Sequence, residues 1–295
     1  MKQSVDVVII GGSYAGLAGA LSLGRAIRQV VILDSGRPCN RQTPHSHNFL
    51  TQDGSTPAEI AERAKAQVLQ YPTVRFQSET AVSVTGQDMN FTVTTDAGSV
   101  IQAKKLLFAT GIRDLMPALP GFSESWGISV IHCPYCHGYE YRDQPTGILM
   151  NGETALEMGR LIRNWTSQLT VFTNGPSTIP DTSILSSLGI TIEEMPLQEI
   201  VHESGYLQHL VLADGRKFPL NALYARPPFE QHCPLPRDLG CVHTEEGYIQ
   251  VDALQKTSIA GVYAAGDATT MKRAVSAAVA AGMMAGVAIS REFLP

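Results

Sequence analysis

Apolar positions along this chain fall into short runs that end at glycine. Val7-Val8-Ile9-Ile10 runs into Gly11-Gly12, helically spaced apolar residues follow, and a further run closes at Leu33. Residues 6–33 therefore read as strand, tight turn, helix, strand. Residues 76–95 alternate with period two, broken at Gln87-Asp88, which predicts a β-meander inserted into the first domain. Leu106-Leu107-Phe108-Ala109-Thr110-Gly111 is a buried strand entering a glycine turn, and residues 113–122, with Pro117, Pro120 and Gly121, are punctuated like a linker. A second strand–helix–strand unit follows: strand 147–150, helix 154–165, strand 169–172. After a weaker β region at 207–224 the chain crosses back around 241–251. Gly261-Val262-Tyr263-Ala264-Ala265-Gly266-Asp267 is again strand into turn, and an Ala-rich helix closes the chain. Repeated units of this kind predict parallel sheets covered by helices on both faces.

A length of 295 residues is enough for two hydrophobic cores. With 44% hydrophobic and 17% charged residues the composition is that of an ordinary globular protein. A formal charge of −5 and the absence of any basic run argue against nucleic acid or anionic lipid as partner. The first residues lack the basic start, longer apolar core and cleavage site of a secretory signal. The least polar stretch, 274–289, is shorter than the ~20 residues a membrane-spanning helix needs; it reads as a buried helix. A cytoplasmic protein with no transmembrane segment is expected. Cys39, Cys133, Cys136, Cys233 and Cys241 make an odd number, which argues against a structural disulfide framework.

Gly11-Gly12-Ser13-Tyr14-Ala15-Gly16 lies between a strand and a helix, the context a dinucleotide-binding turn requires. Gly11 makes the turn, Gly16 lets the helix approach the strand, and the helix N-terminus offers its N–H groups to a pyrophosphate. Ser13 stands at the middle glycine of the usual pattern, so phosphate meets a Cβ there. Asp34, ending the next strand, is placed to bind ribose hydroxyls. The fold class expected is α/β, with two Rossmann-like three-layer nucleotide-binding domains, the second inserted in the first: 1–116, 117–244 and 245–295.

His132-Cys133-Pro134-Tyr135-Cys136-His137-Gly138 carries the redox chemistry. Two thiols two residues apart on a turn entering a helix can close a small disulfide ring. The helix N-terminus and flanking imidazoles favour the thiolate that attacks. Zinc also takes Cys-x-x-Cys, but it wants a second ligand pair, and Cys233 and Cys241 lack that spacing.

Together these motifs resemble the low-molecular-weight thioredoxin reductases over essentially the whole chain. Ala109-Thr110-Gly111 and Ala265-Gly266-Asp267 are similar to the further FAD motifs of that family, and the Cys-x-x-Cys follows the linker as it does there. The resemblance implies FAD as cofactor and a homodimer. It implies cofactor contacts from Gly11, Ser13, Tyr14, Ala15, Gly16, Asp34, Ala109, Thr110, Gly111, Gly266, Asp267, Arg273 and Ala274, and from Arg41 and Asn48 in a segment, 40–54, that wraps the cofactor. His45 and His47 in that segment read as packing. Cys136 would be the flavin-proximal thiol and Cys133 the one that meets substrate. His137 replaces the family's Asp as general acid–base; an imidazole near its ordinary pKa of ~6.5 suits that task. His132 would orient the site or face solvent.

The inserted domain departs from NADPH-dependent relatives. In Met150-Asn151-Gly152-Glu153-Thr154-Ala155 the first glycine is Met150. Thr173-Asn174-Gly175 has no cation for a 2′-phosphate, and Tyr224-Ala225-Arg226-Pro227-Pro228 replaces a glycine turn. With Cys136-His137-Gly138-Tyr139-Glu140, this is similar to the pyridine-nucleotide-independent branch, which includes gliotoxin-type dithiol oxidases and diflavin-linked disulfide oxidoreductases. The expectation is an FAD enzyme oxidising a dithiol, small molecule or protein, with a second FAD in the inserted domain allowed. The alternative is a disulfide reductase fed by ferredoxin or NADPH. A redox-inactive flavoprotein serving as a binding or sensor module is a third reading, and the intact Cys-x-x-Cys counts against it.

Overall fold

The computed structural model describes residues 3–295; Met1 and Lys2, at the head of the expected first domain, lie outside the described residues. The chain forms two compact units. One takes the residues up to Arg41, Phe49–Arg113 and Phe229–Pro295; the other takes Gln42–Asn48 and Asp114–Pro228. The crossing out falls close to the expected residue 116. The return comes at Phe229, well before 245. Its cause is burial: Cys233, Leu235, Cys241 and Ile249 lie in the same apolar cluster as Val84, Phe91 and Val93 of the first unit.

In the first unit a parallel sheet runs in the order Val74–Gln77, Val30–Leu33, Gln3–Ile10, Val100–Phe108, with Val262–Ala264 on the far side of the last. The alternation of Gln3–Ile10 divides its side chains between two cores. Val7 and Ile9 face helices Tyr14–Arg25, Pro57–Val68 and Val275–Arg291. Val8 and Ile10 face the opposite way, toward hairpin Ala81–Gln87/Asn90–Thr95 and the returning segment. Helices thus cover one face of this sheet and not both. Val100–Phe108 is long enough to pair with Gln3–Ile10 and, by its first half, with Asn90–Thr95, so the meander grows out of the sheet and curls over that face. The expected meander also loses its first strand, because Val74–Gln77 joins the parallel sheet.

The closing helix, Val275–Arg291, is buried on one side only; Met283 and Val287 stay exposed. Its buried side meets Tyr14–Arg25 backbone to backbone. A methyl group at Gly282 would overlap the Ala15 carbonyl, and glycine alone permits that approach. Gly282→Ala is expected to cost ~1–3 kcal/mol, the usual range for overpacking, and to weaken cofactor retention, because Ala15 belongs to the nucleotide turn. A denaturant titration followed by flavin fluorescence checks both. The helix is pinned at its end by Glu292, which pairs with Lys105 and Lys256, each at 2.5 Å, while Lys105 also reaches Asp88 at 2.7 Å. Burial alone would raise the Glu292 carboxyl, but the two ammonium groups outweigh it and hold it at about 2.

The second unit repeats the plan. Its parallel sheet runs Thr191–Glu193, Leu169–Phe172, Thr146–Leu149, Ala222–Ala225, Val130–Ile131. Helices Gly152–Ile162 and Thr182–Ser187 cover one face through Ile148, Val171 and Tyr224. A three-stranded antiparallel sheet, Leu197–Glu203, Tyr206–Leu212 and Lys217–Pro219, covers the other through Phe172, Leu223 and Ala225. Helix Gly152–Ile162 starts earlier than the expected 154, because Asn151 caps it, and it ends before the expected 165, at a C-cap on Arg163. Among the described residues no helix is long and apolar enough to cross a membrane.

Candidate active site

In the first unit the three glycine turns named from sequence come together. Gly11 has φ +106°, and a Cβ there would overlap the Ala109 carbonyl, so the first turn lies flat against Ala109-Thr110-Gly111. Gly266, with φ +79°, lies where a Cβ would be 2.9 Å from that of Ala15. The final motif therefore closes on the first. Helix Tyr14–Arg25 begins at Ser13, whose side chain makes no capping bond, and its first turn carries no acid. Its opening N–H groups are thus left to an anion. Asp34 is fixed behind them: Gly12 N–H donates to Oδ1 at 3.0 Å and Gly36 N–H to Oδ2 at 3.2 Å. The Thr110 hydroxyl oxygen is buried and has no hydrogen-bond partner within the chain. A buried polar atom costs free energy unless something bonds to it. A cradle in which Gly11, Gly16 and Gly266 leave no room for a Cβ, ending in an orphaned hydroxyl, fits a bound dinucleotide.

Other expected contacts divide. Tyr14 has its ring in the core and its hydroxyl between Pro57 O, to which it donates at 3.3 Å, and Asn40 Nδ2 at 3.2 Å, so its backbone N–H is what it can offer a cofactor. Asp267 accepts from the Cys39 thiol at 3.8 Å and lies 3.9 Å from Arg273 Nε. Ala274 precedes the last helix and gives it no side-chain cap, leaving that N-terminus open as well. Arg41 is exposed, with Nη1 donating to Pro38 O at 3.2 Å, and it ends the first unit's opening segment. The wrapping segment expected at 40–54 does not stay together. Its middle, Gln42–Asn48, packs with the second unit, taking His45, His47 and Asn48 along; Gln42 and Thr43 close around Gly127. The contacts of Cys39 with Asp267 and of Asn40 with Tyr14, and the placement of His47, escaped the sequence reading, since no motif or spacing marks them.

In the second unit Cys133 and Cys136 are joined as a disulfide, Cα to Cα 5.3 Å. Cys133 is the N-cap of helix Pro134–His137, with Pro134 supplying the fixed φ of a first helical position. Cys136 N–H and His137 N–H both donate to the Cys133 carbonyl at 3.2 Å. The helix is a single turn, so its dipole gives less help to a thiolate than the sequence suggested. Tyr135, inside the ring, is exposed and meets Trp165 edge-on at 5.5 Å. His132 sits 5.9 Å from the Trp126 ring, whose Nε1 donates to Asp114 at 3.2 Å. Burial, with a smaller push from His47, drives the His137 imidazole down from 6.5 to about 4. This replaces the expected value near 6.5. His137 is neutral at physiological pH.

A dinucleotide cradle in one unit and a Cys-x-x-Cys disulfide beside an imidazole in the other define a flavoprotein disulfide oxidoreductase, with FAD as its cofactor. Sequence and structure comparisons agree. Residues 5–285 match the pyridine nucleotide-disulphide oxidoreductase family, and the chain belongs to it. It is 30% identical over 309 residues to a protein named thioredoxin reductase sirT from Leptosphaeria maculans, covering 98% of this chain and 94% of that one. Among solved structures, an oxidoreductase from Agrobacterium tumefaciens superimposes with a TM-score of 0.91 at 36% identity, over 99% of this chain and 98% of that. A putative thioredoxin reductase TrxB from Bacillus anthracis does so at 0.91 and 32%, over 98% of both. The chain is a thioredoxin reductase-like enzyme.

Proposed function

We propose that this enzyme oxidises dithiols to disulfides, passes the electrons through Cys133 and Cys136 to FAD, and does not draw on NADPH. One observation carries the reading. At the start of helix Gly152–Ile162, where a dinucleotide phosphate would sit in the second unit, the Asn151 side chain is already installed. Its Oδ1 accepts the N–H of Gly152 and of Thr178, each at 2.8 Å, and its Nδ2 donates to the Pro176 carbonyl at 3.0 Å. The helix start is capped from within and stitched to the loop that should receive a ribose phosphate. Met150, and the absence of any cation in Thr173-Asn174-Gly175, support the same conclusion. A second FAD bound in the same manner meets the same obstacle.

FAD, when bound, supplies a two-electron acceptor. Gly11, Ser13, Ala15, Gly16 and the Tyr14 N–H would hold its pyrophosphate end, Asp34 would hold a ribose, and Ala109, Thr110, Gly111, Gly266, Asp267, Arg273 and Ala274 would hold the remainder. Arg41 and Asn48 are assigned the cofactor's outer edge. Cys133 takes the first substrate thiolate on its sulfur, the Cys133–Cys136 bond breaks, and Cys136 leaves as a thiolate. His137, being neutral, accepts the substrate's proton. Once Cys136 is negative, the protonated imidazole beside it is favoured, so the pair stabilises itself as it forms. The substrate's second thiolate then expels Cys133 and closes the product disulfide. The homodimer implied by the resemblance and the cytoplasmic setting expected from the sequence complete the proposal; Cys39, Cys233 and Cys241 remaining as thiols suits a reducing compartment.

Anaerobic mixing with micromolar NADPH is expected to leave the flavin absorbance unchanged over minutes, whereas a dithiol bleaches it. Bleaching within seconds by NADPH would restore the alternative, an ordinary disulfide reductase.

A further inference from the structure

The turn that carries the disulfide is a weak element by itself. Pro134–His137 is a single helical turn, and an isolated turn is unfavourable because it fixes several dihedrals for each hydrogen bond. While Cys133 and Cys136 are joined, the covalent bond holds it. Each turnover breaks that bond, and the sulfurs must still be within reach of each other when it re-forms. Cys133 has an anchor, because Val130–Ile131 just before it pairs with Ala222–Ala225 in the parallel sheet. The chain leaving Cys136 enters no strand before Thr146.

Trp165 supplies the missing anchor. Gly138, two residues after Cys136, has φ −65°, a conformation open to every residue. It is glycine for want of space: a Cβ there would lie 2.9 Å from Cδ2 and Cε2 of the Trp165 indole and 2.5 Å from the Pro134 carbonyl oxygen. The same indole meets the Tyr135 ring edge-on at 5.5 Å. The turn therefore touches Trp165 twice, once inside the disulfide ring and once just past it. The indole is itself held by its backbone. Trp165 N–H donates to the Ile162 carbonyl at 2.9 Å, and the Trp165 carbonyl accepts the Asp143 N–H at 3.0 Å. Beside it the Thr166 hydroxyl donates to the Gln144 carbonyl at 2.8 Å. The next side-chain tie along the chain, from the Tyr141 hydroxyl to the Ile128 carbonyl at 2.9 Å, comes only after the turn has ended.

We propose that Trp165 is a positioning residue that keeps Cys136 within reach of Cys133 while the disulfide is open. The proposal rests on the reading that this disulfide opens and closes at each turnover. On closure the two thiols lose two electrons and two protons as the S–S bond forms. FAD takes both electrons and one proton, and the other proton goes to solvent. By holding the open turn in the shape the disulfide needs, the indole reduces the conformational freedom lost on closure. Its removal barely touches the disulfide form, which the covalent bond secures, but loosens the dithiol form. Without Trp165 the dithiol is therefore favoured, and electrons stay on the cysteines instead of passing to FAD.

The test is anaerobic reduction of the holoenzyme by dithiothreitol for the parent, Trp165→Leu, Trp165→Phe and Gly138→Ala. Flavin absorbance reports FAD, and acid-trapped alkylation counted by mass reports the cysteine pair. In Trp165→Leu the cysteine equilibrium is expected to move about tenfold toward the dithiol, the scale of ordering one residue's backbone. That is ~30 mV for a two-electron couple, so flavin bleaching should lag behind thiol exposure across the titration. In stopped flow, the bleaching rate at saturating dithiothreitol should fall about tenfold. The slope at low concentration, set by attack on the closed disulfide, should be kept. Trp165→Phe should restore most of both. Gly138→Ala, which pushes the turn off the indole, should resemble Trp165→Leu and is read alone if that variant does not fold. A folded Trp165→Leu enzyme with the parent's equilibrium and saturating rate overturns the proposal, however far its unfolding midpoint falls. If the parent's cysteines are reduced and its flavin never bleaches, the exchange reading beneath the proposal has failed instead.

Discussion

Cys133→Ser and Cys136→Ser are both expected to lose dithiol turnover by ~10³-fold or more, yet to differ in colour. Neither variant can close the enzyme disulfide, so no two-electron exchange with a substrate dithiol completes. The colour separates their roles. On the proposed assignment of Cys136 as the flavin's partner, removing Cys133 leaves Cys136 as a thiol whose thiolate, against oxidised flavin, would give a broad long-wavelength absorption band. With Cys136 gone, the remaining sulfur is the one proposed to meet substrate, and no band is expected. Spectra of the two purified variants, recorded against the parent, decide the matter. Identical spectra would remove the assignment of Cys136 as the flavin's partner while leaving the disulfide itself in place.

His137→Ala is expected to keep FAD and slow dithiol oxidation by ~10²–10⁴-fold, the range for loss of a general base. The pH dependence carries more information than the rate. In the parent, the His137 imidazole titrates at about 4. It is therefore available as a base throughout the neutral range and is lost only as pH falls through that value. In the variant the substrate must ionise unaided, so the rate should climb with pH toward a thiol pKa of ~8.5, and alkaline buffer should recover part of the loss. The same depressed value has a cost for the fold. Between an unfolded-state pKa of ~6.5 and the folded value of about 4, the unfolded chain binds the proton and the folded one does not. Stability attributable to this side chain therefore falls as pH drops through that window. Denaturant midpoints for parent and His137→Ala should converge across it. A rate profile identical to the parent's would show that some other group takes the proton.

The sequence was most legible where backbone geometry leaves little choice. Gly11 and Gly266 must be glycine because carbonyl and methyl groups lie where their side chains would go, and such positions announce themselves as motifs. The disulfide was equally plain, since a two-residue gap between cysteines has few other uses. Periodicity found the central strands of both parallel sheets but missed Val130–Ile131, Thr191–Glu193 and Leu197–Glu203, and it could not say which layer each joins. Val74–Gln77 reads like the start of a meander and instead completes the parallel sheet, because strand partners are chosen by distant residues. The return to the first unit was placed too late for a similar reason. Residues 229–244 look like a loop in isolation, and only the apolar cluster they fill shows where they belong. Least legible was the electrostatics of the redox site. The value assigned to His137 followed from residue type, whereas burial and His47 set it, and the chain brings His47 there by a detour that no local pattern encodes.

The contact of Gly282 with Ala15 joins segments far apart in the chain. The nucleotide turn is made long before the helix that braces it. Until the strand leading to Gly266 and the helix bearing Gly282 have followed, the glycine cradle lacks two of its walls. FAD therefore has no complete seat while the first unit is only partly synthesised. Cofactor capture becomes a late event of folding, and a chain without that helix is left without the group that would have rewarded it for folding.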